Sequence, residues 1–352
     1  MKAFRSPVLL ALFAALPLCA AAEAPGFKLD QVADGVYAAI RTEPAGYSFV
    51  ANSVFIVNDD DVVVVDTGIG PAVAREAIAA LKKLTAKPVK YVVNTHWHDD
   101  HMMGNEAYRD AYPGVEFIGH INAKAAIDTT GAGNRKQLIE NGPAFVAQLQ
   151  KRLAEKKDLS EEERASHMAD SAWGLRYFAE APQFKPIAPT LGVETSLKLV
   201  RGARTIEVRF LGRAHTAEDL VVYLPKEKIL ISGDLVVWPI PLFGTTSFPI
   251  DYATTLEKML AIPAAILIPG HGPVMRGDTY ARSVLALLNA LNDQVKAAAA
   301  RGESLADTRK HIDLAAFRLR FAGDSALRGA LFDNYVVFPG VQRAFQQVTG
   351  AL

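Results

Sequence analysis

Three of the chain's eight histidines fall within six residues, His96-Trp97-His98-Asp99-Asp100-His101. Neutral imidazole is the commonest metal ligand, and gathering three such groups with carboxylates is costly unless a cation compensates. On an extended or tightly turned loop, residues two apart point the same way, so His96 and His98 can grip one ion. Asp100 and His101 come round the following turn and can face a second. Neither half completes a tetrahedral site, so the remaining ligands must come from distant sequence. Three later places offer ligand-type side chains beside glycine after a strand pattern: His215 in Gly212-Arg213-Ala214-His215-Thr216, Asp234 in Ser232-Gly233-Asp234, and His271 in Pro269-Gly270-His271-Gly272. Short loops at strand ends are where a sheet protein presents functional groups.

The elements that must hold these residues are readable from periodicity. Gly35–Ile40, Ser53–Val57 and Val62–Val65 read as strands, with Asn58-Asp59-Asp60-Asp61 as the hairpin turn between the last two. Four consecutive valines, apolar on both faces, belong to a strand buried on both sides. Pro71 opens a helix on which Val73, Ala77, Leu81 and Leu84 recur at helical spacing, and Val89–Asn94 is the strand that leads into the histidine cluster. Val115–Gly119 is a further short strand. From about 122 to 189 the pattern turns helical, with Phe145, Leu149 and Leu153 on one face and a Ser160/Glu163 capping box, which predicts a helical insertion over one side of the sheet. Strands return at Leu197–Val200, Thr205–Leu211, Leu220–Leu224, Ile229–Ser232 and Ile266–Ile268, with a helix near Thr254–Ala261. After Asp278 the chain is helical to its end. Two strand-rich halves with interspersed helices predict an α/β protein in which two sheets pack face to face with helices outside.

Composition excludes several classes. Half of the 352 residues are hydrophobic and 22% are charged, which is enough for a buried core and unlike coiled-coil, collagen-like or disordered chains. With 38 basic and 38 acidic residues there is no dense basic field, so nucleic acid is not an expected partner. The only cysteine is Cys19, so neither a disulfide framework nor a cysteine-based zinc knuckle is available. Lys2 and Arg5, the apolar run Val8–Leu18 and the small residues Ala20-Ala21-Ala22 form the pattern of a cleaved export signal over 1–22. From Val8 to Ala22 the segment is shorter than the roughly 20 residues a membrane-spanning helix needs. The expected destination is a bacterial periplasm or the exterior, with no stable membrane anchor after cleavage.

Asp66-Thr67-Gly68, His96-x-His98-x-Asp100-His101, His215-Thr216, Gly233-Asp234 and Gly270-His271-Gly272 occur in the order found in the metallo-β-lactamase superfamily, which the chain resembles over roughly 27–277. The resemblance implies an αββα four-layer sandwich with two metals at one edge, between the sheets. It implies that His96, His98 and His215 hold a first zinc, that Asp100, His101 and His271 hold a second, and that Asp234 bridges the pair. Asp66 matches a position that supports the ligand loop from behind, and Asp219 is a candidate to position His215. The domain reading is then an export signal (1–22), a catalytic domain (23–277) and a helical C-terminal extension (278–352). That extension is free to cover the site, pair with another copy of the chain, or lengthen the core.

Two zinc ions sharing a water lower its pKa toward about 7 and make a hydroxide nucleophile near neutral pH. The expected activity is hydrolysis of a small ester, lactone, thioester or amide, with Asp100 and Asp234 orienting the nucleophile and relaying its proton. No G-x-S-x-G elbow competes with this reading. β-Lactam opening is an alternative; the bridging aspartate resembles glyoxalase II, lactonases and related esterases more than the all-histidine β-lactamases. An iron-dependent redox or sulfur-oxidising protein is the alternative from another class, and manganese is a further option for the metal. Trp97, Trp238 and Phe243 are candidates for a hydrophobic wall against a small-molecule substrate, with core packing as the competing role. His120 follows a strand but is not expected among the ligands, and His167 and His311 fall in helical segments.

Overall fold

Val62–Val65 shows how the layers are built. Val63 and Val65 face a core shared by two sheets, whereas Val62 and Val64 face helices on the other side, and all four are buried. The structure is a computed structural model that describes residues 26–42 and 50–352; the expected export signal lies outside these residues. Among them, β1 (Phe27–Ala33), β2 (Val36–Arg41), β3 (Ser53–Val57), β4 (Val62–Val65), β5 (Val89–Val93), β6 (Glu116–His120) and β7 (Leu191–Val193) form one sheet in chain order. It is antiparallel up to β4 and parallel from β4 to β7. A second sheet runs β13-β12-β11-β10-β9-β8, from β8 (Ser196–Arg201), β9 (Arg204–Phe210), β10 (Leu220–Leu224), β11 (Ile229–Val237), β12 (Ile266–His271) and β13 (Met275–Arg276). Here only β11 and β12 are parallel.

The space between the sheets is filled by small and β-branched side chains, among them Val54, Ile56, Val93 and Ile118 from one sheet and Ile206, Val208, Val222 and Ile231 from the other. Helix Pro71–Leu84 lays Ala74, Ala77, Ile78 and Leu81 on the outer face of the first sheet. Helices Pro249–Leu260, Thr279–Ala300 and Phe338–Thr349 do the same for the second. The result is the expected αββα sandwich. Val284, Leu287, Leu288, Leu291 and Val295 of the C-terminal region lie in one core with Val221, Tyr223 and Leu230, so its first helix lengthens the core. Between β6 and β7 come the long helices Ala132–Glu155 and Glu161–Glu180, the second opened by the predicted Ser160/Glu163 capping box. No helix among the described residues is long and apolar enough to cross a membrane.

Departures from the sequence reading have local causes. β1 mixes exposed and half-buried residues, and β7 and β13 are three and two residues long, too short to carry a period. β11 continues beyond Ser232 to Val237 instead of stopping at the glycine. Gly233 adopts φ +51° and shifts the register with β12, a bulge that re-aims the next side chain without ending the strand. Helix Pro249–Leu260 starts earlier than predicted, with proline in its first turn.

One residue ties the sheets at the rim where β12 ends. The Asn52 backbone N–H donates to the Gly270 carbonyl, and its side-chain amide donates to Pro269 and Gly272 at 3.0 and 2.8 Å. The helical stretch and the C-terminal region also meet, through Arg328 and Glu162 at 3.0 Å.

Candidate metal centre

The strand ends deliver the site. β5 ends at Val93, and the following loop passes through His96 and His98 into the short helix Asp99–Met102. His215 lies on the loop between β9 and β10, Asp234 on β11 just after the bulge, and His271 at the last residue of β12. Two glycines make room at this rim, Gly233 for Thr95 and Gly270 for Asp234. A Cβ on Gly233 would lie 2.7 Å from Thr95 atoms, and one on Gly270 would lie 2.0 Å from Asp234 Oδ1.

All seven residues singled out as ligands in the sequence meet at this rim. The ligand atoms of His96, His98 and His215 lie within 4.8 Å of one another, as do those of Asp100, His101 and His271, and those of His96, His101 and Asp234. Asp234 faces both halves: Oδ1 is 3.2 Å from His101 Nε2 and 3.5 Å from His271 Nε2, and Oδ2 is 3.6 Å from His215 Nε2. Asp100 Oδ2 lies 3.1 Å from His271 Nε2 and 3.4 Å from His101 Nε2.

Hydrogen bonds behind the imidazoles decide which ring nitrogen faces inward. His215 Nδ1 donates to the Leu242 carbonyl at 3.0 Å, which leaves Nε2 as the inward nitrogen. The Thr246 hydroxyl donates to the His215 carbonyl at 3.3 Å and accepts from His98 Nε2 at 3.2 Å, which leaves Nδ1 of His98 inward. Those two inward nitrogens are 3.0 Å apart. Asp66, at φ +57°, accepts from the Thr95 backbone N–H, the Thr95 hydroxyl and His101 Nδ1, each at 2.8 Å. The Thr95 hydroxyl in turn accepts from His96 Nδ1 at 3.1 Å. Such partners fix the tautomer and orientation of ligating histidines. Asp219 gives both its oxygens to Thr216 and so shapes the loop carrying His215.

The fit to a cation is tested by what remains. Nε2 of His96, Nε2 of His101 and Oδ1 of Asp234 are buried and make no well-formed hydrogen bond, the last two facing each other only as a 3.2 Å ion pair. A buried polar atom left so costs about 1–3 kcal/mol, and here three converge with the facing nitrogens of His98 and His215. A divalent cation would satisfy them together, and a nitrogen–oxygen donor set suits zinc.

The two halves differ electrostatically. Burial, reinforced by His101 and His98, pulls the His96 imidazole well below its usual value; burial and His215 bring His98 to about 3. Burial also acts on His101 and His271, but carboxylates outweigh it. Asp100, Asp234 and Asp66 hold His101 well above the usual range, and Asp234 and Asp100 raise His271 to about 9. The same ion pairs, against the upward push of burial, hold the Asp100 and Asp234 carboxyls well below the usual carboxylate range.

Of the three wall candidates, Trp97 and Phe243 take the competing role of core packing. Trp97 is 5% exposed and packs with Met102, Met103 and Ile127, and Phe243 is fully buried beside Tyr252. Trp238 is 44% exposed and remains available as a wall. His120 packs on Phe210, His167 is buried in helix Glu161–Glu180, and His311 pairs with Glu303; none belongs to the ligand groups. Sequence reasoning missed Thr246, whose hydroxyl lies 148 positions from the ring it holds, and Arg135, which clamps Asp99 at 2.9 and 2.7 Å. No local pattern marks either residue.

Comparisons agree with this geometry. The sequence profile of the metallo-β-lactamase superfamily matches residues 46–271. The chain is 27% identical over 241 residues to a linear primary-alkylsulfatase from Pseudomonas sp. (strain ATCC 19151), covering 64% of this chain and 42% of that protein. It is 23% identical over 253 residues to a beta-lactamase-like protein 2 homolog from Caenorhabditis elegans, covering 70% and 64%. The chain thus spans about half the length of these curated relatives. Among solved structures, a metallo-beta-lactamase from Pontibacter korlensis matches with TM-score 0.53 and 20% identity, over 75% of this chain and 99% of that one. The metallo-beta-lactamase FIM-1 from Pseudomonas aeruginosa, in its mono-zinc form, matches with TM-score 0.51 and 18% identity, over 75% and 95%. At these identities the structural likeness establishes the fold.

Proposed function

Because the chain belongs to the metallo-β-lactamase superfamily, we propose that it is a two-zinc hydrolase cleaving a small ester, lactone, thioester or amide. His96, His98 and His215 would hold one ion, Asp100, His101 and His271 the other, and Asp234 both. Bound divalent ions supply acidification of a water and polarisation of the substrate's oxygen. The protein's part is to aim and hold. Asp66, Thr95, Thr246 and the Leu242 carbonyl fix four imidazoles with one nitrogen inward, so no ring has to turn when a ligand arrives.

The two carboxylates divide the proton handling. Asp234 has a side chain only 2% exposed and lies between the halves, which suits a fixed acceptor. Asp100, 18% exposed, sits at the opening and is better placed to receive a proton and pass it to the leaving group. Trp97, Met102, Met103 and Ile127 close the rear of the loop against water.

The observation that carries this reading is the pair of inward nitrogens on His98 and His215, 3.0 Å apart with both opposite nitrogens tied. Two such lone pairs repel unless a cation lies between them. The alkylsulfatase relative brings sulfate esters into the substrate class to be tested. The test is metal analysis together with hydrolysis of β-lactams, lactones, thioesters, carboxylic esters and sulfate esters before and after chelation, with His98→Ala as the control. Close to two zinc ions per chain and chelator-sensitive turnover are expected. Turnover unchanged in His98→Ala would refute the assignment.

A further inference from the structure

Helices Ala132–Glu155 and Glu161–Glu180 cross closely, because Gly142 and Gly174 each leave no room for a Cβ against Phe178 and Val146 respectively. Beside this crossing is a hollow of about 210 Å³, walled by Ile69, Leu138, Val146, Trp173 and Phe178. Asp99 and Asp100 also line it. Asp99 is neutralised by the two-pronged Arg135 clamp, so Asp100, a member of the ligand cluster, is the acid that joins the hollow to the cage. The buried Asp170 at its edge accepts from Ser166 within its own helix. A second hollow of about 440 Å³ shares Ile69 and Trp173 with the first, and continues toward helix Pro71–Leu84 along Val73, Tyr177 and Phe184.

We propose that the hollow between these two helices binds an unbranched alkyl arm of the substrate while the scissile ester rests at the cage beside Asp100. Leu138, Val146 and Trp173 would then set the chain length accepted. This rests on the hydrolase reading above. Away from its three acids the walls of the hollow offer a polar arm no hydrogen bond, and Asp100 of the reacting site is one of its lining residues. A polar arm lodged there would lose its water uncompensated, whereas each methylene gains about fourfold in binding. The space is adequate for a chain but narrow for a bulky ring system, given the few hundred Å³ typical of small-ligand sites.

The test uses the zinc-loaded full chain and p-nitrophenyl acetate, butyrate, hexanoate and octanoate. In the wild type kcat/KM should climb about fourfold per methylene until the hollow fills. Leu138→Trp, at a side chain 40% exposed, should flatten that climb, lowering octanoate turnover at least tenfold relative to acetate. Val146→Ala should move the optimum to a longer ester. A flat wild-type series with good turnover, or a climb that survives Leu138→Trp, would overturn the proposal. Binding of 1-octanol and 1-butanol to the metal-free protein, measured by calorimetry, separates the two readings. Should no ester turn over, octanol binding that Leu138→Trp weakens at least tenfold supports the hollow and refutes only the cleavage of carboxylic esters. Octanol binding that is absent, or indifferent to Leu138→Trp, refutes the hollow.

Discussion

The two halves of the centre are built from similar side chains and solve opposite problems. His96, His98 and His215 crowd three imidazoles together, and burial and mutual repulsion strip protons from His96 and His98. Asp100, His101 and His271, with Asp234 beside them, place two carboxylates against two imidazoles, and there protons are retained. A cation entering the first half would meet bare lone pairs on His96 and His98. The second already carries positive charge, and an arriving ion must displace it. A ligand set is therefore described by how its charge is balanced before the metal arrives as much as by its residue types.

Asp234 is the residue on which the distinction fails, because it faces both halves. Asp234→Ala should release both ions and lower kcat/KM by about a thousandfold, a loss of several kcal/mol of transition-state stabilisation. Metal analysis of the purified variant checks this, and one ion retained at full affinity would break the shared role. Next in size are Thr246, which touches the first half, and Asp66, which holds His101 of the second directly and reaches His96 only through Thr95. Thr246→Val removes the tie on His98, and Asp66→Asn turns an acceptor into a donor toward His101. Each should weaken metal affinity about 10–100-fold at its own half, as read by chelator competition. Equal weakening of both halves by either variant would erase the comparison.

Protons offer a third measurement. His271, raised to about 9, keeps its proton at pH 7, so ion binding in that half should release protons and tighten as pH rises from 7 toward 9. His96 and His98, both pulled down and His98 to about 3, are neutral throughout that range, so they should release no protons to an ion bound there. Calorimetric titration in buffers of different ionisation heat separates the two events. The smallest effect belongs to Trp238→Ala at the exposed edge. KM should rise by about fivefold, with stability within about 0.5 kcal/mol of the parent by denaturant unfolding.

Much of this molecule is legible in its residues, unevenly and for physical reasons. Val62–Val65 announces a strand buried on both faces because the run is short, β-branched and bounded by turn residues, and both faces are indeed covered. The histidine cluster stands out because imidazoles are scarce and costly to crowd. Thr246 and Arg135 were invisible, since each acts through a ring or carboxylate that only folding brings near. Phe243 and Trp97 show the opposite failure: an aromatic side chain near a site in sequence has the same letters whether it faces solvent or the core. β11 was cut short because glycine usually punctuates a strand, whereas Gly233 bends one and lets it resume.

The Asn52 contacts carry a mechanical consequence. The cage is a clasp whose two jaws belong to different sheets, His96 to His101 on one and His215, Asp234 and His271 on the other. Asn52 rivets the jaws where the second one turns, its backbone N–H on the Gly270 carbonyl and its side-chain amide on those of Pro269 and Gly272. The gap is thus set by the scaffold before any ion arrives, and among cations of equal charge the scaffold can choose by radius.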